Sequence, residues 1–114
     1  MKKNNLVFLE HILQSITLIE DYVEGVTKEN FVLSIKIQDC VFRRLEIIGE
    51  AAKNVSSELQ TKYKDVPWSE MAKTRDKLIH GYFGIDLEIT WDVIEHDLPK
   101  LKKQILDILK KEKF

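Results

Sequence analysis

Between Arg75 and Phe83 the chain reads RDKLIHGYF: an arginine, a histidine five residues on and a tyrosine two beyond that, with glycines at 81 and 84. These residue types can handle phosphate and protons. A guanidinium is a permanent cation whose planar fork matches phosphate or carboxylate. An imidazole titrates near neutrality and can give or take a proton, and a phenol flanked by glycines could be exposed. Each also has a plainer reading. Arg75 could bridge to an acid such as Glu46 or Glu50, His80 could be a surface or capping residue, and Tyr82 could pack against the end of a bundle.

At about 100° per residue, Trp68, Met71, Ala72, Leu78, Ile79 and Tyr82 share one helix face, and Arg75 lies in the middle of it. A buried guanidinium needs a carboxylate, a carbonyl, a phosphate or a wet cleft to offset its lost hydration. His80 lies about 140° round from Arg75 by the same arithmetic. Asp76 sits one turn before His80 on a shared side, where a carboxylate could orient the imidazole. One straight helix does not bring Arg75 and His80 to a common atom. Either the last turn unwinds at Gly81, or a second copy of the helix completes the site across a two-fold axis; a homodimer is the expectation.

The elements that must position these residues follow from periodicity. Leu9, Ile12, Ile16, Ile19 and Val23 alternate spacings of three and four, predicting a helix over about 6–24, stopped by Gly25. Thr27 can cap a second helix, with Ile37, Val41, Leu45, Ile48 and Ala52 on its inner stripe, that ends near Asn54. A short extra helix is expected in SSELQTKY. Asp65 and Pro67 announce a third long helix over about 66–80. Asp86 can cap a last one, with Leu87, Trp91, Ile94, Leu98, Leu101, Ile105 and Ile108 in step across Pro99. An interior proline removes one hydrogen bond, so this helix is expected to be kinked near Pro99. The sum is an all-α protein, an antiparallel four-helix bundle in a single domain over 1–114.

Composition agrees. The chain has 114 residues, 44% hydrophobic and 32% charged, with four glycines and two prolines, which suits one helical core. Its formal net charge of −1 offers no global attraction for nucleic acid or anionic membrane, so contact with RNA must rest on a local patch. No stretch reaches the roughly 18 apolar residues of a membrane span, and the apolar run after MKKNN is broken by Glu10, His11 and Gln14, so a cytoplasmic protein is expected. Cys40 has no partner cysteine and reads as a small buried hydrophobe. His11 and His96 share no ligand spacing with Cys40 or His80, so no metal and no cofactor is expected. Arg44 projects into its helix stripe, whereas Arg43, Glu46 and Glu50 share the opposite side, where they could form an interface network but read better as a solvated face. The lysines at 100, 102, 103, 110, 111 and 113 could lend local positive potential, or simply aid solubility.

The string RDKLIHGY fits arginine, four residues, histidine, any residue, tyrosine. With the flanking segments RRLEIIGEAAK, DVPWSEMAKTRDKLIHGYFGIDLEITWDVI and DLPKLKKQI, the chain from about Asp39 onward resembles the HepT-like toxins of the HEPN superfamily. The resemblance implies a helical fold that dimerises to bring two Arg-His motifs into one cleft, with metal-independent endoribonuclease activity. It implies His80 as the proton-transfer group and Arg75 as the phosphate-charge stabiliser. The expected partner is an MNT-type minimal nucleotidyltransferase antitoxin that transfers AMP to the tyrosine at position 82. Family members point to tRNA as the RNA cut. Asp76 stands where asparagine is frequent in the family; a carboxylate there helps orient His80 but repels phosphate. The alternative is a non-catalytic helical subunit that binds the nucleotidyltransferase.

Overall fold

The computed structural model describes the backbone of residues 3–79 and 86–113 and the side chains of residues 4–76 and 86–112. Helix α1 (Lys3–Val23) buries Leu9, Ile12, Ile16 and Ile19 completely and Val23 in part, as the spacing predicts. A fully buried aliphatic side chain contributes about 1.5–3 kcal/mol relative to exposure, so this stripe is a main source of stability. The helix stops at Gly25, whose φ of 73° is left-handed, and Val26 N–H closes the turn on the Val23 carbonyl at 2.9 Å.

The second predicted helix is two. Helix α2 (Lys28–Leu33) starts at Thr27, whose hydroxyl accepts from Asn30 N–H, and α3 (Ile35–Asn54) starts at Ser34, whose hydroxyl accepts from Ile37 N–H. Ser34 has an extended backbone, φ −106° and ψ 101°, and interrupts the helix. The break has a packing cause. It turns Phe31, which lies off the stripe of α3, fully into the core, where its ring meets Trp91 at 5.3 Å. Gln38 Nε2 then donates to the carbonyls of Phe31 and Val32, both at 2.9 Å, satisfying the exposed end of α2.

Helix α3 buries Val41, Phe42, Leu45, Ile48, Ala51 and Ala52. Its last carbonyls are taken by Gln60 Nε2, which donates to Ala52 and Val55. Helix α4 (Ser57–Lys62), the expected short element, is capped by Ser56. Ser56 also exchanges two hydrogen bonds with Asn5, both at 2.9 Å. Because Asn5 opens α1 and Ser56 follows the end of α3, those two helices run antiparallel.

Helix α5 (Trp68–Ile79) begins two residues later than predicted. Val66 instead closes a turn on the Tyr63 carbonyl, and Pro67 sits just before the helix, where its missing N–H is not needed. The last stretch comprises α6 (Leu87–Asp92), a π segment (Val93–Asp97) and α7 (Leu98–Lys113). Asp86 caps it, accepting from Glu88 and Ile89 N–H. The irregularity expected near Pro99 takes the form of the π turn: Leu98 N–H reaches back five residues to Val93, and the backbone stays right-handed helical on either side. The apolar stripe survives it, since Trp91, Ile94, Leu98, Leu101, Ile105 and Ile108 are all buried.

The long elements α1, α3, α5 and α6–α7 make an all-α bundle, with no strand among the described residues. Helix α3 is central and packs most extensively against α1 and α5. Lys102 near the start of α7 meets Glu20 near the end of α1 at 2.7 Å, so this pair is antiparallel too. The far end of α7 is tied to the α4–α5 connection, where Glu112 Oε2 accepts from Tyr63 Oη at 2.6 Å and Lys62 Nζ at 2.7 Å. The carboxylate pushes the Tyr63 phenol up to about 12, mainly through that hydrogen bond, while Lys62 and then Tyr63 hold Glu112 below its ordinary value. Among the described residues no helix is long and apolar enough to cross a membrane.

Candidate functional site

Helix α5 carries the site and is anchored at its start. Trp68 is buried and donates its indole N–H to the Tyr63 carbonyl at 3.0 Å, and Met71 is buried one turn on. Arg75 follows on the same face, four residues after Met71, and is half-buried, its side chain 26% exposed. It sits where α5 packs tightly on α3. A Cβ placed on Gly49 would overlap the Arg75 Cβ and stand 2.6 Å from the Met71 carbonyl oxygen. Only glycine at position 49 lets the helices meet this closely.

The acid left open between Glu46 and Glu50 is Glu50, whose Oε2 lies 2.9 Å from Arg75 Nε. The two atoms attract by charge, but the Nε–H is not aligned on the oxygen, and Nε is sealed from solvent without a hydrogen bond. Asp76 reaches the same fork, accepting from Nη1 at 3.2 Å. Glu50 is itself held: Asn54 Nδ2 donates to its carbonyl at 2.8 Å and to its Oε1 at 3.2 Å. Glu46 pairs with Arg43 at 3.0 Å instead. Arg43 and Glu50 are exposed and Glu46 partly so, as the solvated-face reading expects, and Glu50 pairs with the arginine as well.

Arg75 is not closed off by this pairing. It lines an open cleft of about 210 Å³ with Phe8 and His11 from α1 and Arg43, Glu46 and Glu50 from α3. His11, isolated in the sequence, thus faces the same cleft as the arginine; nothing in the spacing of α1 against α5 could have announced it. Gly49 was visible as a lone glycine in a helical pattern, and Asn54 as an i, i+4 partner of Glu50, but neither carries chemistry by its type. A larger groove of about 310 Å³ runs between α5 and α7 over Leu45, Ile48, Met71 and Leu101, and Arg75 is not among its walls.

His80 and Tyr82 lie outside the described residues, so the structure brings together Arg75 and Asp76 of the four predicted site residues. Trp68 and Trp91 are core. Of the C-terminal lysines, Lys102 and Lys111 are paired with Glu20 and Asp107, which reduces the positive potential they could lend. Among the described residues no group of three or more His, Cys, Asp or Glu gathers as a metal site would.

An all-α bundle in which the arginine of an Arg-X4-His-X-Tyr string borders a cleft is in keeping with a small helical ribonuclease. The model of one family, described as ribonuclease HepT-like, matches residues 12–108, and the chain belongs to that family. Three relatives illustrate its range. A Methanocaldococcus jannaschii protein named "Gamma-glutamylcyclotransferase and putative RNase" is 50% identical over 109 residues; the match covers 96% of this chain but only 49% of that protein. A "Putative RNase" of Caldanaerobacter subterraneus subsp. tengcongensis is 46% identical, over 93% of this chain and 95% of the relative. A "Probable ribonuclease HepT" of Thermococcus cleftensis is 43% identical, over 90% and 93%. No solved structure gives a significant match.

Proposed function

We propose that this chain is the endoribonuclease toxin of a two-component toxin–antitoxin system, cutting RNA, with tRNA the expected substrate, without a metal ion. The observation that carries the reading is Arg75, a permanent cation anchored at a helix contact yet bordering an open cleft, five residues before His80. In the proposed reaction His80 takes the proton from a ribose 2′-hydroxyl, whose oxygen attacks the adjacent phosphorus. The 5′-oxygen departs and is protonated, leaving a 2′,3′-cyclic phosphate and a 5′-hydroxyl. Arg75 stabilises charge on the non-bridging oxygens as it builds up. The homodimer supplies a second Arg-His pair to the same groove, and Asp76 supports the pair by holding one edge of the guanidinium.

The proposed partner is an MNT-type nucleotidyltransferase. It would transfer AMP from ATP to the Tyr82 hydroxyl with release of pyrophosphate, and the bulky anion would shut RNA out by sterics and like charge. The cytoplasm is the proposed location. One observation favours the second reading, a non-catalytic subunit of the nucleotidyltransferase: two carboxylates, Glu50 and Asp76, already neutralise Arg75. Incubation of the purified chain with tRNA, followed by analysis of RNA ends, separates the two. Cleavage leaving cyclic phosphate ends, lost in His80→Ala, supports the ribonuclease. No cleavage, or equal cleavage by His80→Ala, sinks it and leaves the binding subunit.

A further inference from the structure

We infer that Glu50, steadied by Asn54, is a positioning residue that fixes the orientation of the Arg75 guanidinium. The contact stands on geometry alone; its kinetic consequence rests on the ribonuclease reading above.

The root of the arginine is fixed first. Its Cβ is seated against Gly49, so the side chain leaves α5 at a tight point of the α3–α5 contact. Beyond that point a guanidinium can still turn about its long stem, and an exposed one would. Here the Nε edge is sealed from solvent and finds no aligned hydrogen-bond acceptor. What faces it is the charge of Glu50, with Oε2 at 2.9 Å. A buried cationic donor without that charge would be poorly solvated, and the fork, held then by Asp76 alone, would swing out toward water. Glu50 therefore decides which edge of the fork is turned inward, in a side chain that borders the cleft.

The carboxylate is in turn restrained from its far side. Residues 50 and 54 are one helical turn apart, and Asn54 donates to both the Glu50 carbonyl and Oε1. One oxygen is thus tied to α3 and the other faces α5, so the line Asn54, Glu50, Arg75, Asp76 runs from helix to helix as one polar chain. Placing a carboxylate beside a phosphate-binding arginine lowers the attraction for RNA. What it provides in exchange is a fork already held in one orientation, so less freedom is lost when a phosphate arrives in the reacting geometry. The expected signature is a larger effect on turnover than on binding.

The test compares wild type with Glu50→Gln and Asn54→Ala. Rotation of the Arg75 guanidinium about its Nε–Cζ bond is followed by ¹⁵N NMR, and kcat and KM for tRNA cleavage are measured alongside. In wild type the rotation is slowed, and in Glu50→Gln it becomes fast. Turnover falls at least about 10-fold in Glu50→Gln with KM nearly unchanged. Asn54→Ala lies between them, and because it leaves the ion pair in place it carries the decision if Glu50→Gln fails to fold. Equal rotation in wild type and the folded variant overturns the inference, as does faster cleavage by Glu50→Gln, which would make Glu50 a competitor for the phosphate. Were the wild type to cut no RNA while its guanidinium was slowed and that of Glu50→Gln freed, the clamp would stand and the ribonuclease reading would fall.

Discussion

The two faces of α3 are built on opposite terms. Toward α1 it packs on the helix whose stripe of Leu9, Ile12, Ile16 and Ile19 has no exposed surface, a contact built mainly on aliphatic side chains. Toward α5 it offers Gly49, and the space so made is filled by the stem of an arginine whose charge is balanced by Glu50. The first contact gains its stability chiefly from buried aliphatic side chains. The second gives up apolar burial for a fixed charge at the rim of a cleft, and a half-exposed ion pair returns little stability. Where a fold could have placed another leucine and holds a cation instead, chemistry is the better explanation than cohesion.

The sharpest way to break this contrast is to disturb each face separately. Arg75→Met should lower RNA cleavage by at least about 100-fold, as loss of a charge-stabilising donor does. Its unfolding free energy in urea should stay within about 1 kcal/mol of wild type. Ile16→Ala should do the reverse, costing about 2–5 kcal/mol by the same denaturation while leaving turnover per folded molecule unchanged. If Arg75→Met unfolds the protein, the arginine is a structural element and the contrast fails.

Gly49→Ala tests the meeting of the two faces. The added methyl has no room against Arg75 and Met71, so α5 must shift, at a cost of about 1–3 kcal/mol. Cleavage should fall by more than that loss of stability explains, because the arginine moves with its helix.

A smaller effect is expected at the polar tie remote from the cleft. Glu112 is held below its ordinary value of 4.5, so its contribution is present above that pH and is lost as acid protonates it. Tyr63 is raised from 10.0 to about 12, so its contribution is complete below pH 10.0 and is lost as pH rises through about 12. Tyr63→Phe should therefore lower the melting temperature slightly between those limits and flatten its fall on both the acid and alkaline sides, with cleavage untouched. The smallest effect belongs to Ser15, a buried hydroxyl with no hydrogen-bond partner among the described residues. Ser15→Ala removes an unsatisfied group and should leave stability equal or raise it by up to about 1 kcal/mol.

Much of this architecture could be read along the chain. The caps at Thr27 and Asp86, the stop at Gly25 and the stripes of α1 and α7 depend on neighbours within one or two turns, and local rules describe them well. The break at Ser34 could not be read, because it answers to Phe31 reaching Trp91 sixty residues away. The π turn replaced a simple kink for a related reason: the widened turn accommodates Pro99 while keeping both halves of the stripe on the core.

The site divides along the same line. Arg75 stood out in sequence because a charge in the middle of an apolar face demands an explanation, and the RDKLIHGY string with its flanks indicated the family. Spacing could not choose between Glu46 and Glu50, since both lie on α3 within reach of a long side chain; the approach of α5 over Gly49 chose Glu50. Nor could it show that His11 from α1 shares the cleft. By itself the sequence determined most of the helical and buried positions and singled out Arg75 as a charge amid an apolar face, because those follow from period and chemical type. Only the tertiary structure decided what that charge meets, because contacts between helices depend on the depth to which their surfaces interlock, and here a single missing side chain sets that depth.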